Sequence, residues 1–305
     1  MTVVLFKALT FVFIIILGYA LKKIGFFSPT DYRIISKIVL NITLPAAVIT
    51  GFANFDMNMS LIFVVLLGFL CNVIMVSLGF WAGTKNSCDT RAFYMLNFSG
   101  YNIGCFVMPF VQNFLGPLGV VTTCMFDSGN SIMCTGGTYA AAASVAKVDE
   151  KNTIGGLVKK LFSSVPFDIY LLMLVFSLLE IHFPTAILNF CSLIAGANSF
   201  LAMLMIGMMF ELDLEPKYLK QVAVILVTRY LLSASFAWIF YFYTPFSLEI
   251  RQVLAIVVFA PLSALVPIFT EKCKGNTAVS SLANSLSILL SIIIITTLLL
   301  VMKIE

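Results

Sequence analysis

"FSGYNIGCFVMPF" (residues 98 to 110) is the stretch on which the reading of this sequence turns. It lies inside a long apolar run, yet it carries Ser99 and Asn102 and ends toward Pro109. A second stretch, "FAPLSALVPIF" (259 to 269), does the same with Pro261, Ser263 and Pro267. Proline in a helix interior removes a hydrogen bond and costs about 3 kcal/mol, and in hydrocarbon the freed backbone groups must find other partners. A break at bilayer depth therefore lines a cavity or is buried in protein. One isolated proline reads as a kink; two interruptions at corresponding places, each with polar neighbours, read as the walls of a site.

The bilayer itself follows from composition. Hydrophobic residues make up 61% of the 305, charged residues 10%, and the mean hydropathy is +1.06. Soluble domains average about 45 to 50% apolar residues. A helix needs about 20 apolar residues to cross a core of roughly 30 Å. The sequence predicts ten such spans: 3 to 21, 34 to 53, 60 to 83, 92 to 114, 119 to 146, 165 to 181, 187 to 210, 219 to 243, 250 to 270 and 279 to 302. A membrane β-barrel would instead show alternating segments of about ten residues. The first run has no basic leader or small-residue cleavage site, so it is read as a span rather than a signal peptide. The expectation is an all-α membrane protein with ten transmembrane helices.

Basic residues orient them. All the Lys and Arg except Lys7, Arg229, Arg251 and Lys303 fall at the connections after the odd-numbered spans, from Lys22, Lys23, Arg33 and Lys37 through Lys85, Arg91, Lys147, Lys151, Lys159, Lys160, Lys217 and Lys220 to Lys272 and Lys274. Basic connections face the cytoplasm, which puts both termini outside a cell inner (plasma) membrane. The net charge of +4 is thereby explained by topology, and no nucleic-acid partner is implied. A basic connection at 147 to 160 divides the chain into five spans in 1 to 146 and five in 161 to 305. An odd number per half makes the second an inverted repeat of the first. Arg91 and Arg251 open the interrupted fourth and ninth spans, and the next spans carry "SGNSI" (128 to 132) and "LANSLSI" (282 to 288). Pro109 precedes Asn130 by 21 residues, and Pro261 precedes Asn284 by 23; pairing Pro109 with Pro267 gives 17, so the register stays open.

The fifth span, "GVVTTCMFDSGNSIMCTGGTYAAAASVA" (119 to 146), holds one charged residue, Asp127. At 1.5 Å per residue it lies about 12 Å into the helix. An ionisable residue there costs roughly 2.5 to 3.5 kcal/mol and marks a functional site by default. Asn130, Ser131 and Cys134 share its face, which is expected to look at the break in the fourth span. Two functional roles are open for Asp127: carrying a proton, or ligating Na⁺ together with exposed carbonyls. The alternative is a buried ion pair with Arg229. Arg229 has a second reading of its own, as a bidentate partner for a substrate carboxylate. If Asp127 stays ionised beside an anion, a cation or proton must accompany them.

Other residues carry less. Asn41, Pro45 and Asn198 line the opposite side of the pocket or join helices. The spacings "GFWAG" (79 to 83) and "GYNIG" (100 to 104) suggest close helix packing. Glu211, Asp213 and Glu215 read as a solvated helix end. The seven Cys have no CxxC pair and read as small buried hydrophobes. With His182 the sole histidine and no Walker A or GxSxG motif, the reading is not an enzyme, and neither metal nor cofactor is expected beyond a coupling Na⁺ or H⁺. No filter-like segment suggests a channel.

These residues resemble the auxin efflux carrier family, which includes the plant PIN-type exporters and bacterial organic-acid carriers. The likeness runs along the whole chain: "GYALKKIGFFS" (18 to 28), "LNITLPAAV" (40 to 48), "NIGCFVMP" (102 to 109), and "VPIFTEKCKGN" followed by "SSLANSLSI" (266 to 288). The resemblance implies a scaffold of spans 1, 2, 6 and 7 and a transport domain of spans 3 to 5 and 8 to 10. Spans 4 and 9 would cross at their broken centres, with a small organic anion bound beside the crossing. It also implies elevator-type alternating access and a homodimer. Val107 stands where some relatives carry Gly, and the long hydrophilic loop of plant members is absent, as in a minimal bacterial carrier. The expected site comprises Asn102, Pro109, Asn130, Pro261, Ser263, Pro267, Asn284 and Arg229 for substrate, and Asp127 with Ser131 for the coupling ion. A Na⁺/H⁺ antiporter and a non-transporting sensor or scaffold on the same fold are the alternatives.

Overall fold

The computed structural model describes residues 2–53, 55, 59–84, 87–148, 153–211 and 215–304; Lys85, Lys151 and Asp213 lie outside them. Among the described residues the chain is helical throughout, and its one β feature is an isolated antiparallel bridge between Tyr101 and Leu262. The elements are α1 (Thr2–Lys23), α2 (Tyr32–Ile38), α3 (Leu44–Phe52), α4 (Ile62–Ala82), α5 (Cys88–Phe98), α6 (Met108–Phe114), α7 (Gly116–Ile132) and α8 (Thr138–Val145). They are followed by α9 (Ile154–Leu161), α10 (Val165–Leu178), α11 (Thr185–Ala195), α12 (Asn198–Met209), α13 (Pro216–Tyr243), α14 (Leu248–Val257), α15 (Val266–Lys272) and α16 (Thr277–Val301).

Six helical stretches are long and apolar enough to cross a membrane unaided: Leu5–Lys23, Tyr32–Phe52, Met59–Ala82, Thr185–Met209, Pro216–Tyr243 and Thr277–Val301. The protein is thus a multi-pass membrane protein. The other apolar runs are held as shorter pieces: α5 with α6, α7 with α8, α14 with α15, and the 14-residue α10. Between α9 and α10 the chain bends by 77°.

Proline explains part of this division. A π-turn, Val39–Thr43, precedes Pro45, and another, Ile103–Val107, precedes Pro109. In each the next residue bonds back five positions, Leu44 to Val39 and Met108 to Ile103. The wider turn makes room for a ring that cannot donate to the carbonyl four residues behind it. Pro109 therefore sits inside a continuous helix, beyond the point where the fourth run is broken. That break is at Ser99–Asn102, and the second lies between α14 and α15, at 258 to 265. Tyr101 and Leu262 face each other where the two breaks meet.

Close packing is set by glycine. At Gly129 on α7 a Cβ would lie 1.9 Å from the Val65 carbonyl oxygen of α4, and at Gly68 one would lie 2.1 Å from that of Phe126. Gly18 of α1 and Gly207 of α12 approach one another's helices in the same way, at 2.3 and 2.1 Å from the carbonyls of Leu204 and Ile15. Gly79 and Gly83 press on the backbone of α5, as their spacing suggests. Gly100 does not pack a helix; with φ 80° it turns the chain at the break. The Gly129→Ala variant is expected to lose about 1–3 kcal/mol of stability, read as a lowered thermal midpoint in detergent. A midpoint equal to wild type would mean that α4 and α7 separate at no cost.

Candidate functional site

A break inside the bilayer leaves backbone donors and acceptors that water cannot satisfy. Most of those at the two breaks have identified partners. The guanidinium of Arg229, fully buried on α13, donates through Nη1 to the Phe98 carbonyl at 2.9 Å and through Nη2 to those of Gly100 at 2.6 Å, Ala260 at 3.2 Å and Pro261 at 3.3 Å. Its plane also faces the Tyr101 ring, 4.8 Å from the centroid. Asn102 donates its backbone N–H to Pro261 across the crossing, at 3.0 Å. On the first break, Asn72 of α4 accepts from the Gly100 N–H at 2.8 Å, while Asn130 of α7 accepts from the Tyr101 N–H at 3.2 Å and donates to the Tyr101 carbonyl at 3.0 Å. On the second, Ser233 and Ser291 each donate to a carbonyl, of Val258 and Phe259, at 2.6 Å, and Ser287 accepts from the Leu262 N–H at 3.0 Å.

Beside this crossing lies a cavity of about 660 Å³. Asn102, Asp127, Asn130, Ser131, Ser263, Pro267 and Asn284 all line it, joined by Asn41 and by an apolar wall that includes Leu44, Met205, Ile206 and Ile288. Residues 102–105, 263–265 and 267, at the starts of the half-helices that follow the breaks, line it too. Helix starts present free N–H groups and favour negative charge. Arg33, Lys37 and Glu211 also contribute to the lining, and all three are solvent-exposed.

Asp127 is 6% exposed, and both of its oxygens accept hydrogen bonds: Oδ1 from Asn130 at 2.8 Å and Oδ2 from the Tyr170 hydroxyl at 3.0 Å. Asn130 thus joins the carboxylate to the break. Cys134, one turn on, lies 3.2 Å from the Asn130 amide oxygen, which completes the polar face expected of this helix.

Three expected site residues are elsewhere. Arg229 pairs neither with Asp127 nor with the cavity, because its two Nη groups are aimed at four backbone carbonyls. Among the described residues the one ion pair is Lys217 with Glu215. Pro109 is buried within α6, away from the cavity, and Pro261 is held behind it by its own carbonyl's bonds to Asn102 and Arg229. Asn198 joins helices: it accepts from Thr43 at 2.9 Å and donates to Gln112 at 3.4 Å. Among the residues that went unread in the sequence are Asn72 and Tyr170, besides Ser233 and Ser291 at the second break. The first two are polar groups centred in apolar runs, "LCNVI" (70 to 74) and "DIYLLML" (168 to 174), and that contrast is the signal that marks them.

No protein-family model matches the chain, and neither does any curated protein sequence.

Replacement of Arg229 tests the clamp. Arg229→Gln leaves buried carbonyls without donors and is expected to cost at least about 3 kcal/mol in thermal unfolding. Arg229→Lys keeps the charge, but a single ammonium cannot span both breaks, so it should lower the midpoint nearly as far. A wild-type midpoint for the lysine variant would show that charge alone suffices.

Proposed function

We propose that this protein is a secondary transporter that moves a small organic anion, a carboxylate, across the inner or plasma membrane by elevator-type alternating access. The observation that carries the proposal is the cavity at the meeting of two interrupted segments, lined by Asn102 and Ser263 of those segments and by Asn130 and Asn284 of α7 and α16. Substrate sites of inverted-repeat transporters form at such breaks, near the bilayer midplane. The ten-span reading goes with it: two inverted five-helix repeats, with α5–α6 and α14–α15 as the crossing fourth and ninth spans, and both termini outside the cytoplasm. In support, each break is held from the helix that follows it, by Asn130 in one half and Ser287 in the other. In this reading Tyr170 belongs to the scaffold and Asp127 to the transport domain, so their hydrogen bond spans the interface that must slide. Two protomers pair through their scaffolds.

Asp127 has no basic partner among the described residues, so a negative substrate entering beside it requires an accompanying cation. We assign it as the coupling group for Na⁺ or H⁺, with Ser131 one turn away. The same unpaired carboxylate supports a second reading, a Na⁺/H⁺ antiporter in which the ions are the whole cargo.

Reconstituted protein distinguishes them. A ligand that binds the native state at 100 times its Kd raises stability by about 2.7 kcal/mol. Within a panel of small carboxylates, one is expected to raise the thermal midpoint and to be taken up by proteoliposomes. Asn102→Ala should lose that uptake by tenfold or more with an unchanged midpoint. Asp127→Asn should retain the carboxylate's stabilising effect and lose its dependence on Na⁺ or pH. Cation exchange without any carboxylate would favour the antiporter; unaltered uptake by Asn102→Ala would remove the cavity from the transport path.

A further inference from the structure

We infer that α9 is a lipid-sensing interfacial helix that binds anionic headgroups of the bilayer through Lys159, Lys160 and Lys272. This rests on none of the transport chemistry above. The 77° bend before α10 turns α9 nearly perpendicular to a membrane-directed helix, the orientation a helix along the bilayer surface has. Its outward row is apolar: Ile154 is 82% exposed, Val158 48% and Phe162 53%. At 3.6 residues per turn these three fall within an arc of about 80°, flanked by Lys159, while Lys160 lies toward the docked side and extends from it to solvent. Helices of this pattern bury their apolar face at the headgroup boundary and reach lipid phosphates with their lysines.

The inner side is docked. Leu157 lies against Gly136, where a Cβ would be 2.9 Å from its methyl carbon, and the Lys160 stem runs over the same glycine. The Lys160 ammonium reaches the ring of buried Tyr139, 5.6 Å from its centroid, and Lys272 of α15 reaches the same ring at 5.4 Å. Two cations thus converge on one aromatic side chain from separate parts of the chain. Neither forms an ion pair among the described residues, although Glu271 adjoins Lys272. Two exposed cations beside an exposed hydrophobic row match an anionic lipid headgroup, with charge for the phosphate and apolar surface for the acyl boundary. Gly136 belongs to the irregular turn between α7 and α8, so lipid held here bears directly on the helix that carries Asp127 and Asn130.

The full chain in nanodiscs of zwitterionic phosphatidylcholine, and of the same lipid with a third phosphatidylglycerol, provides the test. Hydrogen exchange across 153–162 should slow severalfold in the anionic discs, since each lysine near such a surface contributes roughly fivefold in affinity. The variant Lys159→Gln/Lys160→Gln/Lys272→Gln should lose that protection, and the three arginine replacements should keep it. Lys217→Gln/Lys220→Gln serves as a control for charge removed elsewhere. The inference fails if wild type exchanges equally in both discs, if the control loses as much protection as the triple variant, or if glycerophosphate added to zwitterionic discs reproduces the effect. A triple variant that does not fold would be replaced by Lys160→Gln alone, for which retained protection counts equally against the inference.

Discussion

Everything in this structure depends on how an unwound backbone is kept satisfied inside hydrocarbon. Two segments lose their helical hydrogen bonds at the same depth, and water is not there to replace them. The side chains that take over come from four helices: Asn72, Asn130, Arg229 with Ser233, and Ser287 with Ser291. Arg229 is central because it alone reaches carbonyls of both breaks, and its planar fork can serve several acceptors at once. A buried arginine is costly by itself. Here that cost is offset by acceptors that would otherwise be buried with no donor, so the charge and the breaks stabilise each other.

The cavity is a consequence of this arrangement. Because the breaks meet back to back, the starts of two half-helices face one space, and the polar side chains at those starts come with them. Asp127 is tied in through Asn130, which holds the Tyr101 backbone with one set of atoms and the carboxylate with another. A change in the charge of Asp127 therefore bears on the geometry of the break itself. Tyr170 holds the opposite carboxylate oxygen from α10, so Asp127 ties that helix to α7 through a buried polar contact.

Much of the site was legible because polarity is conspicuous in a chain that is 61% hydrophobic. Asp127, Asn130, Asn102, Ser263 and Asn284 each interrupt an apolar run, and each lines the cavity. Proline was a poorer guide. Pro109 marks a π-turn within a helix, and the actual interruption occurs at Gly100, whose positive φ lets the chain turn where no proline stands. Arg229 was read as a partner for a substrate carboxylate or, alternatively, for Asp127, since opposite charges attract at any position in the sequence; its Nη groups serve backbone carbonyls instead. Nothing local in "VTRYLL" (227 to 232) indicates that the acceptors are backbone carbonyls more than thirty residues away on one side and more than a hundred on the other.

The sequence by itself determined the solvent and the element type, since long runs of apolar side chains with few charges can be stable only in a bilayer and only as hydrogen-bonded helices. It also determined which positions are chemically exceptional, because each polar group there must find a partner. Which partner it finds was decided by the tertiary structure alone. Asn72 and Asn130 converge on one break, Tyr170 reaches Asp127 across 43 residues, and Arg229 turns toward carbonyls instead of the carboxylate. The physical reason is that hydrogen bonds are satisfied in space, between atoms about 3 Å apart, while the sequence specifies only the order in which those atoms are strung.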